Sequence, residues 1–432
     1  MELGLEKIEP TGEQEMADKS GEKSRREIFF RRVRSKFMAM AMAGFITLGS
    51  AGRIEANQIQ FDKKGESAPE FVLEPAITQE KLHEFEEYLK KEEPESIEWL
   101  AEFETRLIEH IDRMSEKLLN LDPLEDKEAE EELDRSFSSR DSSLFRKKIY
   151  GQDHKVLEFF KSHPQELNEY QNMLKESMRK ILLSAIMLDN SPAIRKKAIS
   201  SSFPIIILKP HDVSEIRGVN GYIADKPFRI VMTPRVFLGH DGKINPAAYI
   251  NFMVHEIIHT LRGHIDITSI LHMLLNEGSV QNNTYEVIQF IQSSNPRLKN
   301  VLGYKLYDNF IIPAAIFDAI AKSHGSGDAV ARWSAGLIDD DELIKDIREA
   351  AKGLGIDSKI ADDLKNFGMR NGSQLVEEQL KFTASILSRL QNSGLTLPPD
   401  FIENILTRDR FIESNQRKQI NKIIDSLDSF SE

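Results

Sequence analysis

The run Tyr249-Ile-Asn-Phe-Met-Val-His-Glu-Ile-Ile-His-Thr-Leu-Arg262 constrains this chain more than any other stretch. From Phe252 to Leu261 its only ionisable residues are His255, Glu256 and His259, and the rest are the uncharged residues that a helix buried in a water-poor interior needs. Asn245 is a good N-cap, Pro246 suits a first helical turn and Gly263 can close a C-terminus. The spacing therefore predicts a buried helix over 246–262.

On such a helix, residues four apart lie about 40° from each other on one face, so His255 and His259 can grip one ion. Glu256 points obliquely toward the same space and can serve as a general base toward water there. A catalytic site of this kind takes three protein ligands and keeps one position open. Four downstream residues are in range for the third place. Glu277, in Leu-Leu-Asn-Glu-Gly-Ser-Val-Gln281, falls on an expected second helix that Asp266 can cap, while His264, Asp266 and His272 are the alternatives. The pattern H-E-x-x-H-x-x-G-x-x-H of the metzincins requires glycine at 262 and histidine at 265, where this chain has Arg262 and Ile265.

H-E-x-x-H followed 18 positions later by a helical Glu in an Asn-Glu-Gly setting resembles the gluzincin branch of the zincin metallopeptidases. Carried over residue by residue, the resemblance implies one Zn2+ ion held by His255, His259 and Glu277, with Glu256 as catalytic base. It spans roughly residues 200 to 350, and its strongly specific positions are those four. Thermolysin-like members place an Asp one helical turn after the Glu to orient a ligand histidine, and this chain has Gln281 there. Orienting partners of that kind tune ligand basicity. The Gly-x-Met-Glu-Asn element of the aminopeptidase branch is absent, so exopeptidase activity has no support.

Five of the eleven histidines, His240, His255, His259, His264 and His272, lie between residues 240 and 272. Outside the motif, His240, His264 and His272 are equally at home as surface or supporting residues. Tyr285, Tyr304 and Tyr307 are the nearest phenols for stabilising an oxyanion, and nothing in the sequence chooses among them.

Before the helix, Phe203–Pro210 reads as a short buried strand, and 221–234 contains a second and a third, with Pro227 arguing for a turn or an edge. After Glu277, helical spacing recurs at 286–291, 311–321 and 329–351, with a break before Asp339. There Leu343, Ile344, Ile347 and Ala351 form one apolar stripe. The acidic run Asp339 to Glu342 is most simply a helix N-terminus, where carboxylates favour the helix dipole.

The opening of the chain carries a second functional statement. Lys23 to Lys36 is strongly basic, Phe37 to Ala51 is apolar, and small residues stand at Gly49 and Ala51. That order matches an export signal over 1–51 cleaved after Ala51, giving a periplasmic or secreted protein; the alternative is an uncleaved anchor, the chain's one route to a membrane. Ser24-Arg25-Arg26-Glu27-Ile28-Phe29 also resembles a twin-arginine export signal. The formal net charge of -13, with the basic cluster confined to this segment, argues against a nucleic-acid partner. Cysteine is absent, which excludes disulfides and thiolate ligands.

Residues 52–76 read as a linker and 77–200 as a helical N-terminal region. Helices are expected over 78–91, over 96–120 with Leu100, Phe103, Leu107, Ile111 and Met114 on one face, from about 153, and over 164–188. A charged, Ser-rich joint separates them at 122–146. This region is expected to be scaffolding or a propeptide. Residues 201–352 are expected to form the catalytic domain and 353–432 a last helical region. The fold class expected is α+β and mostly helical: a zincin-like domain with a small, mainly antiparallel sheet, an active-site helix and flanking helices. The activity implied is endopeptidase hydrolysis of peptide or protein substrates; the alternative is a catalytically silent zincin fold used as a binding module.

Overall fold

The computed structural model describes residues 58–62, 70–74, 77–121, 140–189, 191–201, 203–210, 221–224, 229–239, 242–263, 271–295, 298, 308–323, 328–368 and 375–393. The expected export signal at 1–51 and the chain beyond 393 lie outside them, as do residues 122–139 of the expected joint at 122–146, whose last part, 140–146, is helical.

Twelve α-helices dominate the described residues: α1 (Gln79–Glu92), α2 (Pro94–Asn120), α3 (Arg140–Ser162), α4 (Pro164–Asp189), α5 (Pro192–Ser200), α6 (Pro246–Arg262), α7 (Gly278–Ser294), α8 (Asp308–Lys322), α9 (Ala329–Ser334), α10 (Asp340–Gly353), α11 (Lys359–Gly368) and α12 (Leu375–Asn392). The fold is mostly helical, as expected. Short strands complete it: β1 (Gln58–Asp62), β2 (Glu70–Glu74), β3 (Ile205–Leu208), β4 (Gly221–Ala224) and β5 (Arg229–Met232).

Two expectations need correction. The segment read as a linker over 52–76 contains β1 and β2, which pair antiparallel with Gln58 opposite Glu74 and Asp62 opposite Glu70. Gln-Ile-Gln-Phe-Asp alternates polar and apolar residues, a period-2 signal, whereas Glu-Phe-Val-Leu-Glu is a run of three apolar residues between charges. The sheet before α6 is mixed, in the order β3-β5-β4, rather than mainly antiparallel. β4 and β5 pair antiparallel, but β3 adds to the far side of β5 in parallel, Ile205 beside Arg229 and Leu208 beside Met232. Strand order is a tertiary outcome, because any of the three can sit in the middle. On the outer side of β3 runs α2, whose Lys117 Nζ donates to the Leu208 carbonyl at 3.0 Å. Phe203, just before β3, stacks on Trp99 of the same helix at 5.7 Å between ring centroids.

Buried apolar side chains form two principal clusters. The first joins Phe103, Leu107 and Ile111 of α2 and Ile181 of α4 to Ile230 and Met232 of β5, to Tyr249, Val254 and Ile258 of α6, and to Val287 of α7. The second joins Leu274 and Leu275 to Ile316 and Ile320 of α8, Trp333 of α9, Ile347 of α10 and Leu390 of α12. The N-terminal helices thus share a core with α6. Each fully buried Leu or Ile contributes about 1.5 to 3 kcal/mol of transfer free energy. No helix among the described residues is long and apolar enough to cross a membrane.

Candidate metal centre

Helix α6 spans 246–262, the range that its spacing predicts. Gly263 ends it at φ +84°, a left-handed conformation that glycine adopts without penalty, and its N–H donates to the Thr260 carbonyl at 3.2 Å. Packing covers Met253, Val254, Ile257 and Ile258 completely, leaving the stripe through His255 and His259 to face the second helix.

That second element is not a plain α-helix. Residues His272–Glu277 are wound as a π-helix that runs without a break into α7. A single π-turn carries an extra residue and rotates the succeeding turns relative to an α-helix, and such turns recur at functional sites. Glu277 is its last residue.

His255, His259 and Glu277 bring one ligand atom each to a common point, and all three residues are buried or nearly so. His255 Nε2 lies 3.2 Å and His259 Nε2 lies 3.4 Å from Glu277 Oε2, and the two ring nitrogens are 3.1 Å apart. An ion bound tetrahedrally at about 2.0 to 2.1 Å spaces its ligand atoms about 3.3 to 3.4 Å apart. The observed triangle has that size. Hydrogen bonding alone explains it poorly, because one carboxylate oxygen faces two imidazole nitrogens that also face each other. The residues present fit a divalent ion with three protein ligands.

The electrostatics of the four motif residues differ in an orderly way. Burial works against the Glu277 carboxylate, but His259 and His255 hold it well below the usual carboxylate range. Burial also opposes charge on His255, yet Glu277, Glu256 and Gln281 together raise its pKa. For His259 burial prevails over Glu277 and the pKa falls, with His255 and Arg262 adding to the decrease. Glu256 has no such partner: burial pushes its carboxyl up to about 7, His255 opposing and Glu277 adding to the rise. Glu256 is 7% exposed and comes directly after the first ligand, so a proton acceptor poised near neutrality stands beside the point where the three ligands meet.

Gln281 is fully buried at the position where thermolysin-like members carry an acid, and its nearness favours the charged form of His255. Of the other candidate ligands, His272 is set apart: its ring stacks on Trp333 at 4.6 Å. His240, His264 and Asp266 lie outside the described residues, as do Tyr304 and Tyr307. Tyr285 is half-buried on α7.

Sequence reasoning misses a set of buried polar residues around the ligands. Arg262 donates from Nε and Nη2 to the two oxygens of Asp189, each at 2.7 Å, and from Nη1 to Ser279 Oγ at 2.6 Å. Asn283 Nδ2 also reaches Asp189, at 3.1 Å. Arg262 is the one strong cation on an otherwise uncharged helix face, which is a usable signal; Asp189, 73 residues earlier, offers none.

No protein-family model, curated protein or solved structure compared with this chain matches it.

Proposed function

We propose that the chain is a zinc-dependent endopeptidase whose site is similar to that of the gluzincins, with one zinc ion held by His255, His259 and Glu277 and with Glu256 as general base. The observation that carries this reading is the convergence of three buried ligand atoms on one point, with the buried carboxyl group of Glu256 directly after the first of them in the chain. Two imidazoles and one carboxylate, with no thiolate in the chain, form a donor set suited to zinc. The bound ion supplies Lewis-acid polarisation of a carbonyl and of water. Glu256 takes a proton from the attacking water and returns it to the leaving amine nitrogen. The covered flanks of α6 keep bulk water from the site.

Glu256→Gln is expected to lower hydrolysis of a mixed peptide library by about 10²- to 10⁴-fold while zinc content stays at one per chain, as read by mass spectrometry and metal analysis. Turnover retained in that variant would sink the assignment. Zinc bound by the unaltered protein with no peptide cleaved would favour the binding module instead.

The same reading takes residues 1–51 as an export segment and the mature protein as periplasmic or secreted. Intact mass of the exported chain should correspond to cleavage after Ala51; a full-length mass in the membrane fraction would favour the anchor.

A further inference from the structure

The buried polar residues around the ligands form one connected chain of hydrogen bonds, and its path is specific. It starts at Asp189, the last residue of α4, which is gripped on both oxygens by Arg262 and on one by Asn283. Arg262 lies one turn beyond His259 on α6 and extends its third hydrogen bond to Ser279 Oγ. The Ser279 hydroxyl, two residues beyond Glu277, donates in turn to the Asn276 carbonyl at 3.2 Å. The Asn276 side chain, next to Glu277, accepts from the Ser334 hydroxyl of α9. Each of these six residues is buried, so the bonds are not exchanged for water.

Two helices contribute the proposed ligands, and their only covalent link is the segment between Arg262 and His272. Without a tie between them, the third ligand's distance from the imidazoles would depend on apolar packing alone. Apolar contacts are not directional, whereas a guanidinium fork held on two carboxylate oxygens fixes position and angle. Glu277 ends a π-helical turn, a rare winding that recurs at functional sites.

We infer that Arg262, anchored by Asp189 and acting through Ser279, is a positioning residue that sets Glu277 against His255 and His259 and thereby sets the metal affinity of the site. The inference rests on the metal centre proposed above but not on peptide hydrolysis. Arg262 touches none of the ligand atoms; it holds the helix that carries one of them. Supporting residues of this kind change metal affinity by about 10- to 100-fold when removed.

The test compares the full chain with Arg262→Lys, Ser279→Ala and a control, Arg235→Lys. Arg235 is buried beside Asp153, 3.4 Å away, in a part of the first core without ligands. Zinc affinity is read by chelator competition, and site geometry by the visible absorption of the cobalt-loaded protein. Arg262→Lys and Ser279→Ala are expected to weaken zinc binding by about tenfold or more and to alter the cobalt bands. Arg235→Lys is expected to lower the melting temperature yet leave both metal readouts as they were. If Arg262→Lys fails to fold, Ser279→Ala, which removes a single hydroxyl, decides the matter. Zinc affinity and cobalt bands unchanged in Ser279→Ala would overturn the inference and leave the metal centre standing. Absence of zinc binding by the unaltered chain would overturn the metal centre itself, and the inference with it.

Discussion

Glu256 and Glu277 are both buried, and burial alone raises the pKa of each, yet they end on opposite sides of the ordinary carboxyl value. Glu277 has two imidazole nitrogens within 3.4 Å, which favour its ionised form; Glu256 lacks them and is pushed up to about 7, as the proposed roles of ligand and general base require. Pairs of carboxyl groups driven apart in this way mark division of labour at a site. Glu277→Gln keeps the shape of the side chain but removes its charge. Zinc affinity should then fall on the order of a hundredfold or more, beyond what loss of a supporting partner produces, in a chelator-competition titration. An affinity within a few fold of the unaltered protein would remove Glu277 from the ligand set. His255, Glu256 and His259 are legible because their chemistry is carried by type and spacing on one helix, while Glu277 is singled out from the other candidates in sequence only by the family resemblance. Asp189 is not, since its role exists only once α4 brings its last residue to the end of α6.

At the scale of elements, caps and periodicity are the readable part. Asp339 is expected to open a helix, and its Oδ1 accepts from the Glu342 N–H at 2.9 Å at the start of α10, followed by acidic Asp340, Asp341 and Glu342. Asp339→Ala should lower stability by about 1 kcal/mol, measured by denaturant unfolding, and no change would show that the cap is redundant with the three acids behind it. The apolar stripe expected behind that cap, Leu343, Ile344, Ile347 and Ala351, is buried. Pairing partners are not readable in the same way. A strand's hydrogen bonds go to a neighbour that the local sequence does not name, so the hairpin of β1 and β2 reads as a linker and the mixed order β3-β5-β4 as an antiparallel one. The π-helix at His272–Glu277 also escapes. Its spacing differs from an α-helix by one residue in a turn, and a six-residue stretch is too short for the difference to appear as a period.

Across the whole molecule, the element carrying Glu277 lies where the two cores meet: Leu274 and Leu275 before it belong to one, Val280 and Val287 after it to the other. The imidazoles sit in the first core, so the two cores must keep their relation for the three ligand atoms to meet. Distant helices are joined elsewhere by charge. Arg195 of α5 holds Glu93, at the junction of α1 and α2, through bonds of 2.8 and 2.6 Å, and Arg195 is 3% exposed on its side chain against 20% for Glu93. The hydrogen bond from Arg195 lowers the Glu93 pKa from 4.5, with burial opposing. A depressed carboxyl pKa stabilises the fold in full above 4.5, and that contribution is lost as pH falls through the lowered value. Glu93→Gln should therefore cost about 1 to 2 kcal/mol at pH 7, allowing for partial solvent screening, with the gap to the unaltered protein closing in melts taken below pH 4.5. A gap independent of pH would mean that the ion pair is not its source. What the sequence by itself determined was local: where helices begin and end, which faces are apolar, and which side chains have the chemistry to hold an ion. Only the tertiary structure decided that Glu277 completes the triangle and that Arg262, held by Asp189, is bonded across to Ser279 on the second helix. Those relations depend on distances between segments far apart in the chain, and packing sets such distances while short-range spacing does not.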